Sequence, residues 1–233
     1  MKGDLVAQRL IESGKEDILM KLLIGACAAL GICFITGGSN VLAASPETAC
    51  TGELAPGTYG RVVVPDDGVC LSEGPVTIRG GLEVGEAATF VLGSEENPGD
   101  TGTISGGVHA TNPASVQIHF TTINGGIDIQ GGSGPFGGPF DITWNAIEDN
   151  DIHGAVKING YNGFWFGFIR NTISGSVTLS NNETEDRDGN EYVTNTIKGN
   201  LNCFGNSPAA QVGDSEGEPN VVSGRKTGEC SSV

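Results

Sequence analysis

One seven-residue pattern, apolar-any-Gly-any-apolar-any-apolar or small, recurs through the chain and restricts its fold more than any other feature. It reads Ile78-Arg79-Gly80-Gly81-Leu82-Glu83-Val84, Ile104-Ser105-Gly106-Gly107-Val108-His109-Ala110 and Ile123-Asn124-Gly125-Gly126-Ile127-Asp128-Ile129. It returns as Ile152-His153-Gly154-Ala155-Val156-Lys157-Ile158, Ile173-Ser174-Gly175-Ser176-Val177-Thr178-Leu179 and Ile197-Lys198-Gly199-Asn200-Leu201-Asn202-Cys203. Weaker copies stand at Val222-Ser223-Gly224-Arg225 and Arg61-Val62-Val63-Val64. From Ile78 to Val222 the spacings are 26, 19, 29, 21, 24 and 25 residues. That range suits a stack of coils carrying loops of different length, whereas a propeller blade needs about 40 residues or more.

Between the copies lie further alternating segments: Ser115 to Phe120, Phe140 to Trp144, Phe164 to Ile169, and Glu191 to Thr194. Alternation at period two marks half-buried strands, so each repeat supplies at least two short strands joined by Gly or Asn turns. Gly 38 of 233 residues and the scarcity of helix formers argue against helical crossovers. Asn145, Asn171 and Asn195 each precede a small residue and then Ile, a register that predicts amides stacked from coil to coil. The expected fold is all-β: a right-handed parallel β-helix of about seven coils, with Ile, Val and Leu lining one core.

In these motifs the chain resembles the pectate-lyase-like parallel β-helix superfamily. More narrowly, the segments Gly199 to Pro208 and Asn220 to Cys230 are similar to the endings of small secreted bacterial β-helix proteins that have no assigned activity. The resemblance covers most of residues 50–230; it implies the fold and leaves the activity open.

Residues 22–35 form an apolar run preceded by Lys21 and followed by small residues up to Ala43-Ala44. The run is short for a bilayer span and fits a secretory signal peptide better than an anchoring helix or a lipoprotein signal at Cys27. Met20-Lys21 resembles a natural start. The expected organisation is therefore an upstream extension over 1–19, a signal peptide over 20–44, and one β-helix domain over 45–233 with caps at 45–75 and 203–233. After cleavage no membrane span is expected.

Cleavage leaves Cys50, Cys70, Cys203 and Cys230. An even number in an oxidising compartment implies disulfides, and four cysteines allow three pairings. Their clustering at the two ends of the mature part favours Cys50 with Cys70 and Cys203 with Cys230. Formal net charge is -16. The first 44 residues balance Lys2, Arg9, Lys15 and Lys21 against Asp4, Glu12, Glu16 and Asp17, so the whole excess belongs to the mature part. Such a polyanion repels nucleic acid, anionic lipid and acidic polysaccharides unless a cation bridges them.

On the recurring strand the outward residues form a column: Glu83, His109, Asp128, Lys157, Thr178, Asn202. Beside it runs Arg79, Ser105, Asn124, His153, Ser174, Lys198. Lys157 or His153 could take a proton alpha to a uronate carboxylate, with Asp128 and His109 nearby. The plainer reading is a solvated face whose opposite charges pair across strands. Polygalacturonase-like aspartate clusters and the arginine and acidic calcium ligands of pectate lyases are missing from this column.

Two further sites stand out. In the loop from Glu183 to Glu191, Asp186, Asp188 and Asn190 match part of a calcium loop, with Thr184 at its first ligand position; an acidic turn is the simpler alternative. Aromatics concentrate at Phe136, Phe140, Trp144, Tyr161, Phe164, Trp165, Phe166 and Phe168. Because Phe164, Trp165 and Phe166 are consecutive, some must face outward, and Trp165 beside Tyr161 could stack on a sugar or a protein partner. Apart from calcium no cofactor is expected.

These features describe a non-enzymatic extracellular or cell-envelope protein that binds a polysaccharide or another cell-surface component. The competing expectation is a polysaccharide lyase or glycoside hydrolase acting on the outward face; the sequence assigns no oligomeric state. Intact-mass measurement on protein recovered from outside the producing cells should give a chain beginning at Ala44 or Ser45. A mass that retains residues 22–35 would mean an uncleaved anchor instead.

Overall fold

The computed structural model describes residues 46–233, apart from residue 96, residues 134–143 and residues 215–216. The expected extension, the signal peptide, Phe136 and Phe140 lie outside the described residues. Each motif copy turns out to be a corner between two strands. Its first apolar residue ends one short strand, its glycine makes the turn, and its second apolar residue opens the next strand, as in Thr121–Ile123 followed by Ile127–Gln130.

Every ladder that results is parallel and in register. A first sheet has nine strands: Glu47–Ala49, Arg61–Val64, Leu82–Val84, Val108–Thr111, Ile127–Gln130, Val156–Asn159, Val177–Ser180, Leu201–Phe204 and Lys226–Gly228. A second has six: Val69–Ser72, Thr89–Leu92, Ser115–His119, Trp144–Glu148, Trp165–Ile169 and Glu191–Val193. A third has eight: Gly57–Tyr59, Val76–Ile78, Gly102–Ile104, Thr121–Ile123, Asp151–Ile152, Thr172–Ile173, Thr196–Ile197 and Val221–Val222. The chain visits the third, first and second sheets in that order and then repeats, so strands distant in sequence become lateral neighbours. Stacked parallel strands of this kind are consistent with a parallel β-helix. Among the described residues there is no α-helix, and no helix long and apolar enough to cross a membrane.

The motif isoleucines Ile78, Ile104, Ile123, Ile152, Ile173 and Ile197 are all fully buried. Each such side chain contributes about 1.5–3 kcal/mol of apolar burial. The motif glycine has a steric reason. A Cβ on Gly106, Gly125, Gly154, Gly175, Gly199 or Gly224 would fall inside 3.0 Å of the backbone one circuit earlier, so any side chain would push the corners apart.

Polar stacking supports the corner between the second and third sheets. Backbone N–H groups of Thr121, Asn150, Asn171 and Asn195 donate to the side-chain oxygens of Asn150, Asn171, Asn195 and Asn220, one circuit on, at 2.9–3.1 Å. The amides also donate to buried carbonyls, Asn171 Nδ2 to Ile147 at 2.7 Å and Asn195 Nδ2 to Phe168 at 2.7 Å. Asn145, expected in this ladder, is absent from it. It sits inside the second sheet and accepts from Val116 N–H, while Asn150 fills the ladder position.

Two disulfides close the ends, Cys50 with Cys70 and Cys203 with Cys230, bridging 20 and 27 residues. Each removes about 3 kcal/mol of loop-closure entropy from the unfolded chain. They also suggest an oxidising, extracellular setting.

Asn171→Ala would remove the buried hydrogen bonds that Asn171 makes to the Ile147 carbonyl and from the Asn150 N–H, and is expected to destabilise the fold by about 2–4 kcal/mol. Thr172→Ala, at the exposed neighbour, should change stability by less than about 0.5 kcal/mol. Urea denaturation of both variants makes the comparison, and similar small losses would remove the ladder from the fold's support.

Candidate functional site

The predicted column on the first sheet is correctly registered. Glu83 pairs with His109, His109 with Asp128, Asp128 with Lys157, Lys157 with Thr178, and Thr178 with Asn202. His109, Asp128 and Lys157 line an open hollow of about 210 Å³. His109 and Lys157 are exposed, and Asp128 accepts a hydrogen bond from Gln130. His153 is not among the lining residues. It stands at the neighbouring corner, exposed, with Nδ1 2.9 Å from Asn124 and Nε2 3.1 Å from Asp151. The four candidates therefore do not converge on one point.

The other two expected sites need correction. Tyr161 is fully buried and meets Phe166 edge to face at 5.8 Å, so it offers no outward platform. Asn190 is buried as well. Its amide donates to the Asn182 and Pro208 carbonyls and its oxygen accepts from Tyr192 Oη at 2.8 Å, which draws it away from any calcium position. Asp186 accepts from the Asp188 N–H at 3.1 Å, the geometry of an acidic turn. Along the strand Trp165–Ile169, Trp165 is partly exposed and Phe166 buried, as alternation requires, and Phe164, just ahead of the strand, is exposed.

A more organised constellation lies on the outward face of the second sheet. All five residues of Ser115–His119 are buried, outward-facing ones included, so this face is covered rather than solvated. Beside it Glu95, Glu148, Trp165, Ile169, Arg170, Glu191 and Asp214 line a recess of about 200 Å³. A side chain on Gly167 would overlap the Trp165 ring and the Glu148 carboxyl, so this glycine provides the floor on which the indole lies. Trp165 Nε1 donates to Glu191 Oε1 at 3.1 Å.

Arg170 gathers the acids. It reaches Asp149 through Nε at 2.8 Å and Nη2 at 2.9 Å, Glu148 through Nη2 at 3.3 Å, and also touches Glu95, whose segment comes from far earlier in the chain. Asp149 and Arg170 adopt φ 57, the left-handed turn that follows successive second-sheet strands. His119 Nδ1 is 3.9 Å from Glu148 Oε2, too long for a hydrogen bond.

Environment sets the charges. Burial first, then the hydrogen bond with Glu95 and its negative charge, push the Glu148 carboxyl up to about 9. Burial also pushes Glu95 upward, but its hydrogen bonds with Glu148 and Arg170 outweigh this and hold it below the ordinary value. The shared proton therefore resides on Glu148. Burial pushes the His119 imidazole down, against the pull of Glu95 and Asp149, and keeps it neutral near pH 7. Hydrogen bonding to Asp149 leads among the causes that push Arg170 higher, so it stays charged. One neutral acid, two carboxylates, one guanidinium and a neutral imidazole thus meet at one corner, a set able to exchange a proton or hold a cation. Register along the second sheet, of the kind that gives the first-sheet column, places His119 beside Glu148, whereas Glu95 carries no such signal.

The folded chain keeps the Glu148 proton up to about pH 9, whereas an ordinary carboxyl releases it near 4.5. Between those values the folded state binds the extra proton, so this group lowers stability progressively as pH rises. Glu148→Gln removes the titration. Urea midpoints at pH 5, 7 and 9 should show the variant gaining on the native chain as pH increases, and a constant difference would mean that Glu148 is ionised in the fold. Compared with known proteins, the chain matches no family model, no curated protein and no solved structure.

Proposed function

We propose that the protein is an extracytoplasmic binding module, a right-handed parallel β-helix of about seven coils related to the pectate-lyase-like superfamily, whose ligand is a cell-surface carbohydrate. The carrying observation is Trp165, a partly exposed indole laid on Gly167 at the rim of a polar recess with Glu191, Asp214 and Arg170. Sugars are held this way elsewhere in chemistry: a ring face stacks on the apolar face of the pyranose while carboxylates and guanidinium groups bond its hydroxyls. About 200 Å³ accommodates one sugar residue of a longer chain. The first-sheet column supports the same reading from the other side, because its exposed groups lack a common focus for catalysis.

A hydrolase is the second reading, and one observation favours it: Glu148 retains its proton near neutral pH, as a general acid must, with Glu191 in the same recess. Titration calorimetry against a panel of neutral and uronate oligosaccharides separates the two. The module predicts binding without new reducing ends, weakened about tenfold (1.4 kcal/mol) by Trp165→Ala. Cleavage abolished by Glu148→Gln would establish the hydrolase, and no glycan binding at all would overturn both.

A further inference from the structure

We propose that His119, Glu148 and Asp149 form a binding site for one divalent transition-metal ion, at the corner where the second sheet turns into the third. Each residue offers one ligand atom, and the three atoms lie within 4.8 Å of one another. The independent observation is the imidazole itself. His119 is only 5% exposed, and its Nδ1 has no hydrogen-bond partner although it faces Glu148 Oε2 at 3.9 Å. A buried nitrogen in that state is unfavourable unless something bonds it. An ion between imidazole and carboxylate does so: ligands at about 2.0–2.2 Å from a metal sit about 3–4 Å apart, so small side-chain shifts suffice.

Backbone geometry makes the convergence specific. His119 and Glu148 are in-register neighbours on adjacent strands. Glu148 and Asp149 are consecutive, and in an extended strand they would point to opposite faces. The left-handed φ of 57 at Asp149 breaks that alternation and lets both carboxyls serve one point. One nitrogen and two oxygens suit zinc or manganese better than calcium, which takes oxygen ligands throughout. The same carboxylates already hold a cation, since Arg170 bonds Asp149 through Nε and Nη2 and reaches Glu148. Guanidinium and metal ion would thus compete, which gives the site a signature that an ordinary surface acid cluster lacks. This inference does not depend on the carbohydrate reading.

The test uses the full chain without an affinity tag, produced with its disulfides formed, treated with a chelator and titrated calorimetrically with Zn²⁺, Mn²⁺ and Ca²⁺. One equivalent of Zn²⁺ or Mn²⁺ should bind more tightly than Ca²⁺. His119→Ala should weaken it by at least about tenfold. Arg170→Gln should tighten it several-fold, and the double change Asp186→Asn with Asp188→Asn should leave it unchanged. Should His119→Ala fail to fold, the Arg170→Gln result and the response of the His119 imidazole resonances of the native chain to Zn²⁺ decide the matter. No stoichiometric binding, an affinity untouched by His119→Ala, imidazole resonances that do not respond, weaker binding in Arg170→Gln, or loss of binding in the acidic-turn variant would each overturn the proposal.

Discussion

Hydrogen bonding from each circuit of backbone to the next is what everything else here depends on. Parallel ladders leave no local turn to fix register, so register must be set by side chains that notice a slip. Two devices do this. The motif glycines let corners approach until no Cβ fits, and the Asn150–Asn171–Asn195–Asn220 ladder bonds backbone N–H groups one circuit apart. Moving a strand by one residue would break both and turn Ile104, Ile123 and Ile152 out of the core.

Such a stack has two open ends, and an unpaired parallel edge invites further pairing. Each end carries a disulfide, and a 3-10 turn at Glu229–Ser232 places Cys230 against the last strands. In a second asparagine column, Asn206 accepts the Asn182 N–H from the circuit before, and its own N–H and amide donate to the Glu229 carboxylate. Capping therefore combines a covalent bond with a charged acceptor, at the place where the repeat can no longer supply its own partner.

Much of this was legible because repetition amplifies a weak signal. Six glycine-centred copies specify the core positions, the first-sheet column and the parallel pairing, and the clustering of cysteines specifies their pairs. Failures arose where one residue had to be judged alone. Asn145 and Asn150 both precede an isoleucine by two residues, but only Asn150 precedes a motif isoleucine, as Asn171, Asn195 and Asn220 precede Ile173, Ile197 and Val222. Counting back from the motif would have chosen correctly. Tyr161 lies outside any alternating segment, and its burial with Phe166 and Tyr192 is a property of packing between circuits. The acidic recess was invisible for a deeper reason: it needs Glu95 and Asp214 from irregular segments, and irregular segments carry no period.

That contrast bears on where function can reside in such a molecule. The first-sheet column is regular, exposed or half-buried and mixed in charge, and its contacts, such as Asp128 with Gln130 and Glu83 with Arg61, are pairwise and open to water, so proximity confers little mutual influence. On the second sheet the regular strand is covered, and the same residue types behave differently: a glutamic acid keeps its proton, a buried imidazole keeps its Nδ1 without a partner, and a guanidinium binds three acids. Each of those states is unfavourable or unusual for a solvated strand. They are tolerated because the ladders on either side are complete, with Thr121 to Asn220 bonded directly behind the cluster. A repetitive scaffold with redundant register can hold one strained corner without unravelling, and local strain held by a rigid frame is the physical condition for a pre-organised site.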